Sequence, residues 1–175
     1  MKYSYQVVLP AGMRAALKEY SPAFRIFGIE DYDEEFKKSV PLTFSSTACY
    51  SAVFTDLNGD GRADAVLFGE ADLWVEGLTG EGKWEHFPGL AVLSEGTTRY
   101  QIVPVLQAVA NRPVRMSLKM LSAGKGVAVW NGKEILLKDN DIGLFLGRTE
   151  VSVYRWDTEE SKFAYIDTVK QDTIK

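Results

Sequence analysis

Hydrophobic and polar positions follow a helical spacing in the first part of the chain and a strand-like spacing after residue 48. In LPAGMRAALKEY, apolar residues recur at intervals of three and four, at Met13, Leu17 and Tyr20, and Pro10 stands where a helix can begin. The stretch IEDYDEEFKKSV carries its acids first and its lysines last, the order that suits a helix dipole, before Pro41 ends it. We therefore predict two modest helices within residues 1–45.

From Cys49 onward, short β-branched and aromatic runs alternate with Gly, Asn and Asp, a pattern typical of strands joined by turns. VAVWNGKEILL indicates a hairpin, because Asn131 and Gly132 can supply the two positive φ angles of a two-residue turn. VSVYRWDTEESKFAYI indicates a second hairpin with a longer polar tip. The predicted strands are 49–55, 64–69, 71–77, 89–94, 99–105, 115–121, 126–130, 133–137, 142–146, 150–156 and 162–167.

Short strands in succession, separated by gaps of turn length, favour an antiparallel sheet, and no long linker or low-complexity segment divides the chain. We predict a single α+β domain over residues 1–175, mainly antiparallel β-sheet with N-terminal helices. Residues 1–45 form its helical part, and residues 46–175 form its β-rich part. A chain of 175 residues, 46% of them hydrophobic, can bury a core without a metal, so any metal is an addition to an existing fold.

The stretch FTDLNGDGRADAVLFG, residues 54–69, places oxygen-bearing side chains at alternate positions between two apolar runs. Counted from Asp56, they occupy positions 1, 3, 5 and 9, and a glycine at position 6 permits a sharp turn. This is the spacing of the first nine positions of an EF-hand-type loop, whose oxygen ligands suit calcium. The predicted Ca²⁺ ligands are the side chains of Asp56, Asn58, Asp60 and Asp64 and the backbone carbonyl of Arg62.

The stretch departs from a full EF-hand at position 12, where Leu67 replaces the bidentate Glu, and its flanks are strand-like rather than helical. It resembles the calcium loop of FG-GAP/VCBS-type repeats, in which a D-x-N-x-D-G-x-x-D turn joins two β-strands. The resemblance implies a calcium-binding turn between strands and brings no activity with it. The motif occurs once, whereas a propeller needs several copies around an axis, so the chain is not a complete propeller.

The alternative for residues 56–64 is an ordinary turn rich in Asn-Gly and Asp-Gly, which needs no metal. Calcium is favoured because a simple turn needs neither Asp56 nor Asp64, and because three crowded carboxylates repel without a cation. With no Glu at position 12, we expect a Kd on the order of 10⁻⁴ to 10⁻³ M, which cytosolic free calcium would not fill. This affinity favours an extracellular or periplasmic location.

The segments ALKEYSPAFRIFGIEDY and VSVYRWDTEESKFAYIDT resemble the opening and the terminal hairpin of a group of small exported bacterial proteins of unassigned function. The start MKYSYQVVLP lacks the apolar core and the cleavage site of a signal peptide. The start is therefore either natural or left after removal of an export signal, and the sequence does not separate the two.

Composition and isolated motifs narrow the remaining function classes. A net charge of −4 and a pI near 5.1 argue against a nucleic-acid partner, and no apolar run is long enough for a membrane span. GLTGEGK, residues 77–83, imitates a phosphate-binding loop, but Trp84 replaces the Ser or Thr that would hold Mg²⁺. Cys49 is the single cysteine, and we expect it to be buried and inert. His86, the single histidine, has no nucleophile-elbow serine to complete a triad, and we expect it in a loop or at the surface.

We predict a calcium-stabilised binding domain for an unidentified protein or glycan ligand, without catalytic residues. The alternative is a calcium-dependent hydrolase that uses a pair of carboxylates. Aromatic side chains could form the binding platform, although we expect most of them to pack in the core. The candidates for such a platform are Trp74, Trp84, Trp130, Trp156, Tyr154 and Tyr165.

Overall fold

The computed structural model describes residues 6–39, 49–71, 85–110 and 112–174. Within these ranges it contains two short α-helices, α1 (Ala11–Tyr20) and α2 (Glu34–Ser39), and two 3₁₀ turns, Ile29–Asp31 and Gln171–Thr173. The same ranges contain strands β1 (Arg25–Ile26), β2 (Ala52–Thr55), β3 (Asp64–Glu70), β4 (Glu85–Glu95), β5 (Arg99–Ala110), β6 (Met116–Met120), β7 (Gly124–Val127), β8 (Glu134–Leu137), β9 (Ile142–Leu146), β10 (Glu150–Asp157) and β11 (Lys162–Lys170).

The strands form three sheets, in which every pairing between described strands is antiparallel. In the five-stranded sheet, β3 pairs with β4 on one side and with β2 and β1 on the other, and β4 pairs with β5. A four-stranded sheet has the order β11-β10-β9-β6, and β7 and β8 form a separate ribbon. The prediction of a mainly antiparallel β protein is thereby confirmed.

Pro10 precedes helix α1 as its N-cap residue, and its carbonyl accepts the N–H of Arg14 at 3.0 Å. The helix buries Met13 and Leu17, as predicted. Tyr20 lies on the exposed side, so its assignment to the apolar face was wrong. The second helix is shorter than its pattern suggested, and its apolar anchor is Phe36. Between the helices the chain contains β1 and a 3₁₀ turn, so the described part of residues 1–45 is less helical than predicted.

Ten of the predicted strands correspond to observed ones, and the predicted strand 71–77 lies almost entirely outside the described residues. The hairpin over residues 150–170 is confirmed. The Asn131-Gly132 turn differs from its prediction: of these two residues, only Gly132 has a positive φ, 68°. The Ala128 N–H donates to the Lys133 carbonyl at 2.8 Å, so the ribbon turns through a longer loop than the two-residue one predicted.

Strand β3 is buried on both faces, as expected for a strand at the centre of the fold. Ala65 and Leu67 face α1 and belong to a cluster with Met13 and Leu17. Val66 and Phe68 point the other way, into the main core, which also contains residues of β6 and β9 from the four-stranded sheet. The five-stranded sheet therefore lies between helix α1 and the four-stranded sheet, and this explains the unbroken apolar run after Asp64.

Three further predictions concern Cys49, His86 and residues 77–83, and the structure describes the first two of these. Cys49 is half-buried rather than buried, and its Sγ lies 3.3 Å from the Ser51 hydroxyl. His86 lies on strand β4 and is half-buried, so it is not in a loop, and its side chain is only partly at the surface. The segment 77–83 that imitates a phosphate loop lies outside the described residues. In the part of the chain that the structure describes, no helix is long and apolar enough to cross a membrane.

Candidate calcium loop

The predicted calcium loop connects two antiparallel strands. Its last paired positions are Thr55 on β2 and Asp64 on β3, so the turn itself consists of residues 56–63. Gly59 and Gly61 have φ angles of 78° and 80°, a region that L-residues with a side chain rarely adopt. The strand flanks and the two left-handed glycines produce the compact strand-to-strand turn that the sequence predicted.

Asp56, at position 1, organises the turn through backbone N–H groups. Its Oδ1 accepts the N–H of Gly59 at 2.8 Å and that of Asp60 at 3.1 Å. Its Oδ2 accepts the N–H of Gly61 at 2.8 Å. Three of about four acceptor positions on the carboxylate are thus filled by N–H dipoles, which carry no net charge, and one position is left.

Asn58 and Asp60 link the turn to β4. The Asn58 amide accepts the Asp60 N–H at 3.1 Å through Oδ1 and donates through Nδ2 to the Ser94 carbonyl at 2.8 Å. Asp60 accepts the Arg62 N–H at 2.9 Å and lies 2.8 Å from the Ser94 hydroxyl. The Ser94 hydroxyl is the main cause that holds the pKa of Asp60 below its ordinary value, so this carboxylate is ionised at neutral pH.

Asp64, at position 9, is completely buried and has four donor groups within hydrogen-bond distance, one of which, the Ser94 hydroxyl, it shares with Asp60. The N–H groups of Leu57 and Asn58 donate to Oδ2 at 2.8 and 3.3 Å, and the N–H and hydroxyl of Ser94 approach Oδ1 at 2.7 and 2.8 Å. When the Ser94 hydroxyl proton points to Asp64, these contacts fill the roughly four acceptor positions of the carboxylate, and when it points to Asp60 one position is open. In the first case Asp64 could coordinate a cation only by giving up one of these contacts.

Ser94, which the sequence analysis did not identify, is the contact shared by two of the predicted ligands. Its single hydroxyl proton faces Asp60 Oδ2 and Asp64 Oδ1, each 2.8 Å away. One of these two carboxylate oxygens therefore has no proton from the hydroxyl. No local signal marks Ser94, because it comes from β4, thirty residues after Asp64.

Arg62, at position 7, makes its side-chain hydrogen bonds outside the loop, although its charge still helps to lower the pKa of Asp60. Its guanidinium donates to the carbonyls of Gly96, and of Thr97 at 2.8 Å, in the turn between β4 and β5. Among the described residues, no ion pair involves Asp56, Asp60 or Asp64. The loop is therefore held by hydrogen bonds from backbone N–H groups, the Asn58 amide and the Ser94 hydroxyl rather than by ion pairs.

The structure brings the predicted ligands together in two pairs. Oxygens of Asp56 and Asn58 share the Asp60 N–H, and oxygens of Asp60 and Asp64 share the Ser94 hydroxyl. Within the described ranges, no three His, Cys, Asp or Glu side chains form a group that could hold a metal ion. The donor chemistry suits Ca²⁺, but the carboxylates of this structure are engaged with backbone donors, so coordination requires small side-chain rotations.

The aromatic candidates do not form a flat platform in the described part of the chain. Trp130 is 82% exposed at the tip of the ribbon, and Tyr165 is 55% exposed but tilted by 59° against Tyr154. Trp156 packs on Phe163 with ring centroids 5.2 Å apart, against the main core. Trp74 and Trp84 lie outside the described residues.

Comparison with known proteins provides no relative for this arrangement. The chain matches no protein-family model, no curated protein and no solved structure. The resemblance of residues 54–69 to FG-GAP/VCBS-type loops, and that of the two longer segments to small exported proteins, therefore stay predictions.

Proposed function

We propose that this chain is a single, exported recognition domain of the α+β class whose loop 56–64 binds a stabilising Ca²⁺ ion. The observation that carries the proposal is the Ser94 hydroxyl, which offers one proton to two carboxylate oxygens at 2.8 Å. No Lys or Arg side chain of the described residues pairs with these acids. A divalent cation would compensate the charge that remains.

The ion would be held by the side chains of Asp56, Asn58 and Asp60 and by the carbonyl of Arg62. Asp64 would join them by exchanging one of its hydrogen bonds for a contact with the ion. Because Asn58 and Asp60 already reach Ser94 on β4, binding would strengthen the connection between the β2–β3 turn and β4. The expected role of calcium is structural.

The proposed location outside the cytosol follows from affinity. Because the loop lacks the bidentate Glu at position 12, we expect a Kd on the order of 10⁻⁴ to 10⁻³ M, the range of extracellular modules. Free calcium outside cells reaches this range, so the site would be filled there. The proposed location and the proposed metal site are therefore both tested by measuring the Kd for Ca²⁺.

The proposed activity is recognition of a protein or a glycan, and the exposed indole of Trp130 supports it. A large aromatic side chain in solvent provides apolar area and a hydrogen-bond donor for a partner, as hot-spot residues do. The alternative, a calcium-dependent hydrolase, needs two carboxylates that face one substrate. Asp64 does not suit that role, because it is completely buried and accepts three backbone N–H groups.

Thermal unfolding of chelator-treated protein, titrated with Ca²⁺ and separately with Mg²⁺, tests the proposal. At a hundredfold excess over Kd, binding to the native state adds about 2.7 kcal/mol and raises the midpoint by several degrees. We expect Ca²⁺ to stabilise the wild type and to leave the Asp60→Ala variant unchanged. Glu159→Ala, which removes an exposed acid at the tip of the β10–β11 hairpin, is the matched control and should respond like the wild type.

The opposite result is equally informative. If the wild type does not respond to 10 mM Ca²⁺, about ten times the weakest expected Kd, the loop is an ordinary turn. The argument for an exported location then fails together with the metal site.

A further inference from the structure

A cleft of about 900 Å³ lies between helix α1, the chain segment 6–9 and the segment that contains β1. It involves no residue of the calcium loop. Its volume falls within the range of roughly 300–1,000 Å³ that is usual for small-molecule sites. The cleft is therefore large enough to hold a ligand of its own.

Apolar side chains from three separate parts of the chain line this cleft. Leu9 and Leu17 are buried at its base, and Val7, Phe24 and Ile26 are half-buried beside them. Because the half-buried side chains keep part of their apolar surface in water, a ligand that covers them gains the free energy of removing that surface from water.

Two cationic side chains lie at the border of this apolar lining. Arg14 and Lys18 are four residues apart on α1, so they are neighbours on one helix face, and both are exposed. Neither forms a side-chain hydrogen bond or an ion pair within the described residues. Arg25, which also lines the cleft, differs because Asp31 and Glu70 already neutralise it.

We propose that this cleft binds a single-chain amphipathic anion, such as a medium-chain fatty acid or an alkyl phosphate. The alkyl chain lies against Val7, Phe24 and Ile26, and the anionic head is held by Arg14 and Lys18. The acidic residue in the lining, Glu30, lies near Arg25, whose pKa its charge helps to raise, and it forms no ion pair with Arg14 or Lys18 among the described residues. Although the protein has a net charge of −4, Arg14 and Lys18 make this part of its surface positive, which is the complement that an anionic head group requires.

The proposal goes beyond the calcium-dependent recognition function and does not depend on it. Removal of calcium should leave the affinity for the amphiphile unchanged, because the loop and the cleft share no residue. Failure of one proposal therefore leaves the other standing.

Isothermal titration with dodecanoate, dodecyl phosphate and dodecyltrimethylammonium, each below its critical micelle concentration, tests the charge selectivity. We expect both anions to bind with one-to-one stoichiometry and the cation of equal chain length not to bind. The double variant Arg14→Gln/Lys18→Gln should weaken dodecanoate binding about tenfold, as expected for two partly exposed ionic contacts. Lys133→Gln/Lys138→Gln removes the same charge from an exposed region elsewhere and should bind like the wild type.

Three results would overturn the proposal. One is equal binding of the anions and the cation, because the site would then be a nonspecific apolar surface. Another is unchanged affinity in the helix double variant while the protein keeps its unfolding midpoint. The third comes from vesicles that contain anionic phospholipid: binding to vesicles without binding of free dodecanoate would indicate a membrane surface instead of a cleft.

Discussion

The candidate calcium loop, residues 56–64, and the region around Asp31 both concentrate acidic side chains, but the two regions stabilise this charge in different ways. Arg25 makes a bidentate contact with Asp31, at 2.8 Å for each nitrogen, and reaches Glu70 at 2.6 Å. Arg112 pairs with the same two acids. In the loop, backbone N–H groups and one serine hydroxyl take the place of arginines. The comparison shows that the chain completes its own charge pairing at Asp31 and leaves a net negative charge at the loop.

The Asp31 region also has a clear structural task. The Asp31 carbonyl accepts the Val114 N–H at 2.9 Å, and the Val114 carbonyl accepts the Asp33 N–H at 3.1 Å. Arg112 lies over the rings of Phe27 and Phe87, 5.7 and 5.6 Å from their centroids. The ion pairs thus join the N-terminal segment to β3 and to the connection between β5 and β6.

The pKa of one acid in each region, Asp31 and Asp60, lies below its ordinary value, for different reasons. Burial raises the pKa of Asp31, but the hydrogen bonds from Arg25 and from the Gly28 N–H, with the charges of Arg25 and Arg112, bring it below the ordinary value of 3.8. The pKa of Asp60 is lowered first by the Ser94 hydroxyl. The charge of Asp31 is therefore matched by ion pairs with two arginines, whereas the charge of Asp60 is stabilised mainly by hydrogen bonds, first of all the one from Ser94.

The largest effect is expected at Asp64. The Asp64→Asn change keeps the shape of the side chain but replaces one carboxylate oxygen by an NH₂ group. The buried N–H groups that donate to that oxygen in the wild type then face another donor. Leaving buried N–H groups unsatisfied costs about 1–3 kcal/mol, so the free energy of unfolding should fall by about 3 kcal/mol in chelator. Urea denaturation measures this, with Asp56→Asn as a more exposed comparison. A loss below about 1 kcal/mol would show that the network around Asp64 contributes little.

A smaller loss is expected at Asp31. The Asp31→Asn change removes the charge that pairs with Arg25 and Arg112, and because Arg25 is 46% exposed we expect about 2 kcal/mol rather than the full effect of a buried pair. The matched control is Glu134→Gln, which breaks the exposed pair with Lys125 and should change the free energy by less than about 1 kcal/mol. Equal losses in the two variants would contradict a special role for Asp31.

The pH dependence of that difference follows from the direction of the pKa shift. Because the folded pKa of Asp31 lies below 3.8, its stabilising contribution is complete above that pH and is lost as the pH falls through the folded pKa. The gap in unfolding free energy between wild type and Asp31→Asn should therefore be constant near neutral pH and shrink below about pH 4. Urea denaturation at a series of pH values measures the gap, and a gap that widens on acidification would refute the assignment.

Most of the fold was predictable because its elements carry local signals. Strands β9, β10 and β11 were predicted within a few residues, since their β-branched runs are bounded by turn residues. The turn after Trp130 was predicted less well, because the Asn-Gly signal does not determine how many residues the loop contains. The separation of the strands into three sheets could not be predicted, since it depends on contacts between residues far apart in sequence.

The turn that carries the candidate site was predictable from the sequence, whereas the contacts around it were not, and calcium binding stays a prediction. Alternating Asp and Asn residues with a glycine at position 6 indicated the turn, and Gly61 has the positive φ that such a turn needs. The expected repulsion between the carboxylates is answered in part by backbone N–H groups, which every sequence provides and no pattern reveals. Ser94 and Arg62 show the same limit, because their contacts connect residues 30 to 35 positions apart.

The smallest effect we predict is the stabilisation by Ca²⁺, and it distinguishes the loop 56–64 from the Asp31 region most directly. At a tenfold excess of Ca²⁺ over its Kd, binding should stabilise the wild type by about 1.4 kcal/mol. Asp31→Asn should keep this gain in full, because its acid is paired internally and distant substitutions add independently within about 0.5 kcal/mol. Asp60→Asn should lose the gain, because it removes an acid that has no arginine partner. Urea denaturation with and without Ca²⁺ measures both, and a gain that depends on Asp31 rather than Asp60 would reverse the comparison.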